Sequence, residues 1–200
     1  MLALVMARAR LAALPSSSAP ALTGVCPPRL MPRLRHAVGG LGRLLDESML
    51  CFAPHANSYR RFKAGALAPS GKSWGYDHRE VALRIPRSTE HNRRIEHRVA
   101  GAEANPYLVL AAVLAGMHYG LQSAIDPGEP VPRDADLSED ETTLPTRVDK
   151  AIELFAGSEI LPGYFGEEFV RIYTAIRQGE SNAYHAEVPD LDYAWYLRAL

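Results

Sequence analysis

Residues 93–107, R-R-I-E-H-R-V-A-G-A-E-A-N-P-Y, set a charged extended segment directly in front of a helix start. Side chains alternate faces along a strand, so Arg94, Glu96 and Arg98 share one face while Ile95, His97 and Val99 share the other. One face of the predicted strand 94–99 is a cation–anion–cation row, and the opposite face is fit for a core. Asn105 followed by Pro106 marks a helix start, because the asparagine side chain accepts an orphan N–H and proline sits where no donor is needed. Behind it, 108–115 (L-V-L-A-A-V-L-A) is apolar all round, which predicts a fully buried helix ending at Met117-His118-Tyr119-Gly120. That run is too short to cross a bilayer.

The charged row admits two readings. Guanidinium groups hold carboxylates and phosphates in pairs, and an ionised carboxylate between two of them suits a hard divalent cation. The row would then hold an anion and a metal side by side. The alternative is the solvated face of an antiparallel sheet laced with ion pairs.

A second segment lies upstream. In 74–86, W-G-Y-D-H-R-E-V-A-L-R-I-P, the residues Val81, Leu83 and Ile85 alternate with Ala82 and Arg84, so a strand over 80–86 directs Arg84 away from an apolar face. Gly75 and Asp77 are turn residues, and they place Arg79 in a loop ahead of that strand. A loop arginine beside strand arginines makes a clamp suited to phosphate.

These two segments, with F-A-P-H-A-N-S-Y-R-R-F at 52–62 before them, resemble the C-terminal part of the glutamine synthetase family over about residues 36–200. The resemblance rests on N-S-Y-R-R, R-x-x-x-x-R-I-P, R-R-I-E-x-R and A-N-P-Y-L in family order and spacing. The form R-I-E-H-R-V-A-G-A-E-A-N-P-Y-L-V-L-A-A-V-L-A-G, with the later G-E-E-F-V-x-x-Y, looks closer to the γ-glutamyl-polyamine (γ-glutamylputrescine) synthetase branch.

The resemblance implies an ATP-dependent ligase that activates the side-chain carboxylate of glutamate as γ-glutamyl phosphate and lets ammonia or a primary amine displace the phosphate. It implies that Arg61 and Arg98 hold the glutamate carboxylates. Arg79 and Arg84 would act in catalysis by neutralising the ATP phosphates, Arg94 would lie near the nucleotide, and Glu96 would ligate Mg2+ or Mn2+. Such roles suit a reaction driven by positioning and charge stabilisation. The parent enzyme is expected to be a homo-oligomer.

Two positions depart from the family pattern. The flap glutamate that helps deprotonate the amine corresponds to Leu67, within 64–69 (A-G-A-L-A-P), and leucine accepts no proton. The asparagine usual before the first phosphate-clamping arginine is His78, which still donates a hydrogen bond. Nothing in the chain resembles the family's N-terminal β-grasp domain, nor the glutamates and H-x-H segment that supply most of its metal ligands. The expectation is therefore roughly the last third of an enzyme, inactive alone.

Composition supports a foldable piece. The chain has 200 residues, of which 47% are hydrophobic, enough for one core. A net charge of −1 argues against nucleic-acid or membrane-surface partners. Cys26 and Cys51 fit neither a disulfide framework nor a zinc motif, so a reduced cytoplasmic setting is expected.

Residues 1–33 read differently. No acid occurs before Asp46, while Arg8, Arg10, Arg29 and Arg33 stand among Ala, Leu, Ser and Pro. The stretch has the composition of a transit peptide, but its prolines deny it a folded core, and the favoured reading is a disordered or non-native leader joined to a unit at 34–200.

The expected fold is α+β, the C-terminal part of a glutamine synthetase catalytic domain with a few antiparallel strands and packed helices. A helix over 36–49 carries the stripe Val38, Leu41, Leu44 and Leu45. The acidic stretch with Asp134, Asp136, Glu139, Asp140 and Glu141 reads as a solvated turn. Three helices close the chain, with Phe165, Phe169, Ile172, Tyr173 and Ile176 as core and Tyr193, Trp195, Tyr196 and Leu197 packed along one flank. Apolar surface and sheet edges at 80–86 and 94–99, uncovered by the missing half, should favour self-association. Beside the ligase stands one alternative of another class, a non-catalytic anion-binding or subunit-interaction remnant.

Overall fold

Glycine decides how the two main helices meet. In a computed structural model that describes residues 32–62, 68–89, 92–137 and 144–197, α1 (Pro32–Leu44) lies against α3 (Pro106–Gln122). A Cβ added to Gly40 would fall on the backbone of Gly116 and Gly120, and one added to Gly120 would fall on the backbone of His36 and Gly40. With hydrogen in place of a side chain, backbones approach closely enough to be in contact.

Asn105 caps α3 by accepting from the Tyr107 N–H at 3.0 Å, and Pro106 takes the first helical position, as the sequence indicates. The predicted full burial of α3 is wrong. Val109, Ala112, Val113, Gly116 and Gly120 face inward, while Tyr107, Leu110 and Leu114 are exposed, Tyr107 at 82%. The all-apolar composition hides this two-sidedness. The helix also runs through 117–120 to Gln122 instead of ending there, since Gly120 serves the contact with α1 and is not a stop.

The helix expected over 36–49 is divided. α1 begins at Pro32 and ends at Leu44, and α2 (Met49–Phe52) follows a turn. Asp46 tightens that turn, accepting the Glu47 N–H through one carboxylate oxygen and binding the Lys72 ammonium at 2.9 Å through the other. Next comes a 3-10 helix, Ala56–Arg61, whose entry is fixed because the His55 N–H donates to the Ser58 hydroxyl.

A three-stranded sheet follows, with β1 (Trp74–Tyr76), β2 (Leu83–Ile85) and β3 (Glu96–His97) in the order β1-β2-β3. β2 and β3 are antiparallel, pairing Leu83 with His97 and Arg84 with Glu96. The strands predicted over 80–86 and 94–99 are thus shorter than expected. Residues 74–76, expected in a loop, form a strand parallel to β2, and Gly75 also bridges to Val131. The connecting stretch 77–82 turns through Asp77, whose φ of 53° is left-handed. His78, 3% exposed, braces the turn by accepting the Glu80 N–H on Nδ1 and donating from Nε2 to the Ala135 carbonyl at 2.8 Å.

Four helices close the chain where three were expected: α4 (Val148–Ala156), α5 (Leu161–Phe165), α6 (Glu167–Ala186) and α7 (Asp190–Tyr196). Phe165, Phe169 and Tyr173 stack in sequence at 5.5 and 5.4 Å between centroids, and the Tyr173 hydroxyl donates to the Leu50 carbonyl at 3.2 Å. Ile172 and Ile176, also expected in the core, are about half exposed, because they lie on the outer side of α6. The predicted packing of the last flank is also overturned. Tyr193, Trp195, Tyr196 and Leu197 are exposed, Trp195 at 62%, and no residue of α7 is buried.

The core joins Leu44, Phe52, Phe62, Leu83, Val99, Val113, Phe155 and Leu161 across helices and sheet. Val81, Leu83, Ile95 and Val99 are buried, so the strands expected to present an uncovered surface do not; the exposed apolar surface belongs to the helices. Among the described residues no helix is long and apolar enough to cross a membrane.

Candidate functional site

The register of β2 on β3 puts Arg84 directly opposite Glu96, and from this pairing a charge cluster grows. Glu96 is only 2% exposed. Its Oε2 accepts from Arg84 Nε at 2.6 Å and Nη2 at 2.5 Å, and its Oε1 accepts from Arg94 Nε at 3.3 Å and Nη2 at 3.0 Å. Each oxygen is therefore held by one guanidinium. A solvated ladder does not describe this arrangement, because its anion is buried.

Arg98 extends the cluster along β3. Its Nη1 donates to the Val81 carbonyl at 3.2 Å. Burial lowers its guanidinium from the ordinary arginine value; the charges of Arg84 and Arg79 push the same way, while Glu96 and Glu80 oppose them. Arg79 itself is exposed in the turn braced by His78, and Glu80 beside it accepts the Leu137 N–H at 3.0 Å. Arg84 and Arg94 clamp Glu96, and Arg98 feels the charges of Arg84, Glu96, Arg79 and Glu80, so four cations and two carboxylates, one of them buried, form one electrostatic group. Such a group carries spare positive charge and suits an anionic ligand.

Arg61 belongs to a different group. Its guanidinium donates to the Val99 carbonyl, stacks over the Phe62 ring at 4.2 Å, and is lowered in pKa by burial, with Glu103 opposing. Burial works to raise the Glu103 carboxyl, but a hydrogen bond with Ser58 and the charge of Arg61 outweigh it and hold the group below its ordinary value. Glu103 was not singled out from the sequence. Its one local signal is its place between Gly101 and the cap residue Asn105.

Between the two groups lies His97, on the opposite face of β3 from Glu96, its ring tilted against Phe52 at 4.3 Å between centroids. Both ring nitrogens are buried without a hydrogen-bond partner, and burial, then the charge of Arg61, push the imidazole down to about 4. Cys51 is buried in the core, its thiol pushed up to about 12 by burial, so it is an inert packing residue. Leu67 lies outside the described residues, as do Cys26 and the acidic residues 139–141.

A family profile described as glutamine synthetase, catalytic domain, matches residues 24–196. The chain belongs to the glutamine synthetase family. It is 38% identical over 167 residues to gamma-glutamylputrescine synthetase of Escherichia coli (strain K12), an alignment covering 84% of the chain and 35% of that enzyme. It is 36% identical to gamma-glutamylethanolamide synthetase of Streptomyces coelicolor, over 82% of the chain and 34% of the relative, and 32% identical to glutamate–isopropylamine ligase of a Pseudomonas species, over 80% and 35%. The chain spans about a third of the length of the curated relatives it matches. The solved structure of apo GmaS without ligand superposes with a TM-score of 0.71 at 24% identity, covering 84% of this chain and 39% of that one, and so shares the fold. In this chain the cationic cluster falls in the stretches 79–86 and 93–98, inside the region that the family profile matches.

Proposed function

We propose that this chain is the C-terminal, arginine-bearing part of an ATP-dependent ligase that joins the γ-carboxyl of glutamate to a primary amine or ammonia through γ-glutamyl phosphate. The observation that carries this reading is the cluster of Arg79, Arg84, Arg94 and Arg98 around buried Glu96. In the proposed roles, Arg79 and Arg84 draw charge off the phosphates, Arg94 lies at the nucleotide, and Arg98 with Arg61 orients the carboxylates of glutamate. The transfer of a phosphoryl group from ATP to the γ-carboxylate of glutamate brings two anions together and asks for this kind of preorganised positive charge.

The residues described do not by themselves fit a divalent metal. Both oxygens of Glu96 are taken by guanidiniums, and among the described residues no three His, Cys, Asp or Glu stand together as a ligand group. A metal at Glu96 would need further ligands from the part of the parent that this chain does not cover.

The relatives' names support the amine reading, since they name putrescine, ethanolamide and isopropylamine products or substrates. Leu67 in place of a flap base adds to it, because an apolar residue suits an alkyl chain and gives no general-base help to ammonium. The test is kcat/KM for ammonium, putrescine and ethanolamine on the chain joined to the N-terminal two-thirds of a relative. A preference for ammonium would refute the amine specificity, and Leu67→Glu should shift preference towards ammonium.

For the chain alone, amine-dependent phosphate release from ATP and glutamate should not exceed that of a Glu96→Ala control. ATP should still bind weakly, and calorimetry should lose that binding in Arg79→Ala/Arg84→Ala. A second reading, a non-catalytic anion-binding or subunit-interaction remnant, is favoured by the doubly clamped Glu96; turnover by the joined protein would exclude it.

A further inference from the structure

A cavity of about 280 Å3 opens where the ends of β1 and β2 meet the segment 130–133. Tyr76 and Ile85 are register partners on the sheet face opposite Arg84, and both line the cavity. The charge cluster around Glu96 is therefore on the other side of β2. Three guanidiniums border the cavity, those of Arg87, Arg93 and Arg133, and no carboxylate lines it. Arg87 is held in place from outside: its N–H donates to Asp77 Oδ1 and its Nε to Asp77 Oδ2, both at 2.8 Å. Among the described residues Arg93 and Arg133 have no ion-pair partner. Ser88, on the same wall, has a buried hydroxyl with no hydrogen-bond partner.

A buried hydroxyl without a partner costs stability unless something meets it, and solvent-reachable guanidiniums without a counter-charge are free to bind an anion. The rest of the lining is apolar: Tyr76, Ile85, Val131 and three prolines. A ligand that matches both parts of the lining carries an anionic group and a flat apolar body. The volume stands at the small limit of ligand pockets, which run from roughly 300 to 1,000 Å3. A nucleoside triphosphate does not fit that space, whereas a single-ring aryl phosphate does.

We propose that this cavity is a separate binding site for a small aryl phosphate, with Arg93 and Arg133 on the phosphate and the ring against Tyr76. It does not depend on the ligase reading, because none of its residues belongs to the cluster around Glu96.

Isothermal titration of the 200-residue chain with phenyl phosphate, and separately with inorganic phosphate, tests it. Phenyl phosphate should bind one to one and at least about tenfold more tightly than inorganic phosphate. Arg93→Gln/Arg133→Gln should weaken it by at least about tenfold, and Arg133→Gln alone, at an exposed position, gives the same direction if the double variant does not fold. Saturating ATP should leave phenyl phosphate binding unchanged. Absence of saturable binding, equal affinity for inorganic phosphate, indifference to both arginine variants, or displacement by ATP would each overturn the proposal.

Discussion

The α1–α3 seam and the α7 flank are both apolar by sequence, and the structure treats them in opposite ways. At the seam, Gly40, Gly116 and Gly120 let two helices meet backbone to backbone, and Val38, Leu41, Val109 and Val113 are sealed around them. On the flank, Leu191, Tyr193, Trp195, Tyr196 and Leu197 are each more than half exposed, and none belongs to the core. Periodic apolar residues announce a face. What lies against that face is decided by shape, and at the seam the shape is supplied by glycine.

The comparison is broken most forcefully at the seam. Gly120→Ala sets a methyl group on the backbone of His36 and Gly40, so α1 must move; we expect a loss of at least about 3 kcal/mol, or no folded protein, by urea denaturation. Gly42→Ala, in α1, meets nothing within 4 Å and should stabilise by up to about 1 kcal/mol through helix propensity. Equal effects of the two would remove the seam from the account.

His97 tests how tightly the packed side is closed. Its folded pKa of about 4 lies below the ordinary 6.5, so the neutral ring is favoured by folding. That contribution is complete above pH 6.5 and is lost as pH falls towards 4, about 3 kcal/mol across the window. Denaturation at several pH values should show that slope and should show it flattened in His97→Phe. A histidine that titrates normally by NMR would mean that water reaches the ring.

A smaller effect is expected at Glu96. Glu96→Gln leaves Arg84 and Arg94 without their anion, but both side chains are more than a quarter exposed and water compensates them in part. A loss of about 2 kcal/mol is expected, again by urea denaturation. The flank should respond least: Trp195→Ser/Tyr196→Ser should change stability by no more than about 0.5 kcal/mol while reducing self-association in sedimentation. A large loss of stability there would mean that the flank is packed after all.

What could be read in advance follows the range of the interactions. The Asn105-Pro106 start of α3 was legible because its hydrogen bond spans two residues. Arg84 and Glu96 were each identified, yet their pairing needs the register between two strands, which neither strand carries in itself. β1 was missed because three residues give no period, and its second neighbour, Val131, lies far along the chain. The outer side of α3 was misjudged because leucine and alanine all round leave no polar stripe to mark water. Arg61 matched the same family pattern as Arg98, but the structure sets it with Glu103 and His97.

The parallel pairing of β1 with β2 through the short turn 77–82 has a consequence for ancestry. Parallel strands ordinarily require a connection of about a dozen residues or more, usually a helix, and so a long piece of chain. Here the buried His78 and the left-handed Asp77 make the return locally, and Arg79, Arg84, Arg94, Glu96 and Arg98 all lie between β1 and the end of one hairpin-like run. Short loops close at little entropic cost. The cationic group is thereby held by local connections within 74–98, and such a block can keep its geometry while the chain around it diverges.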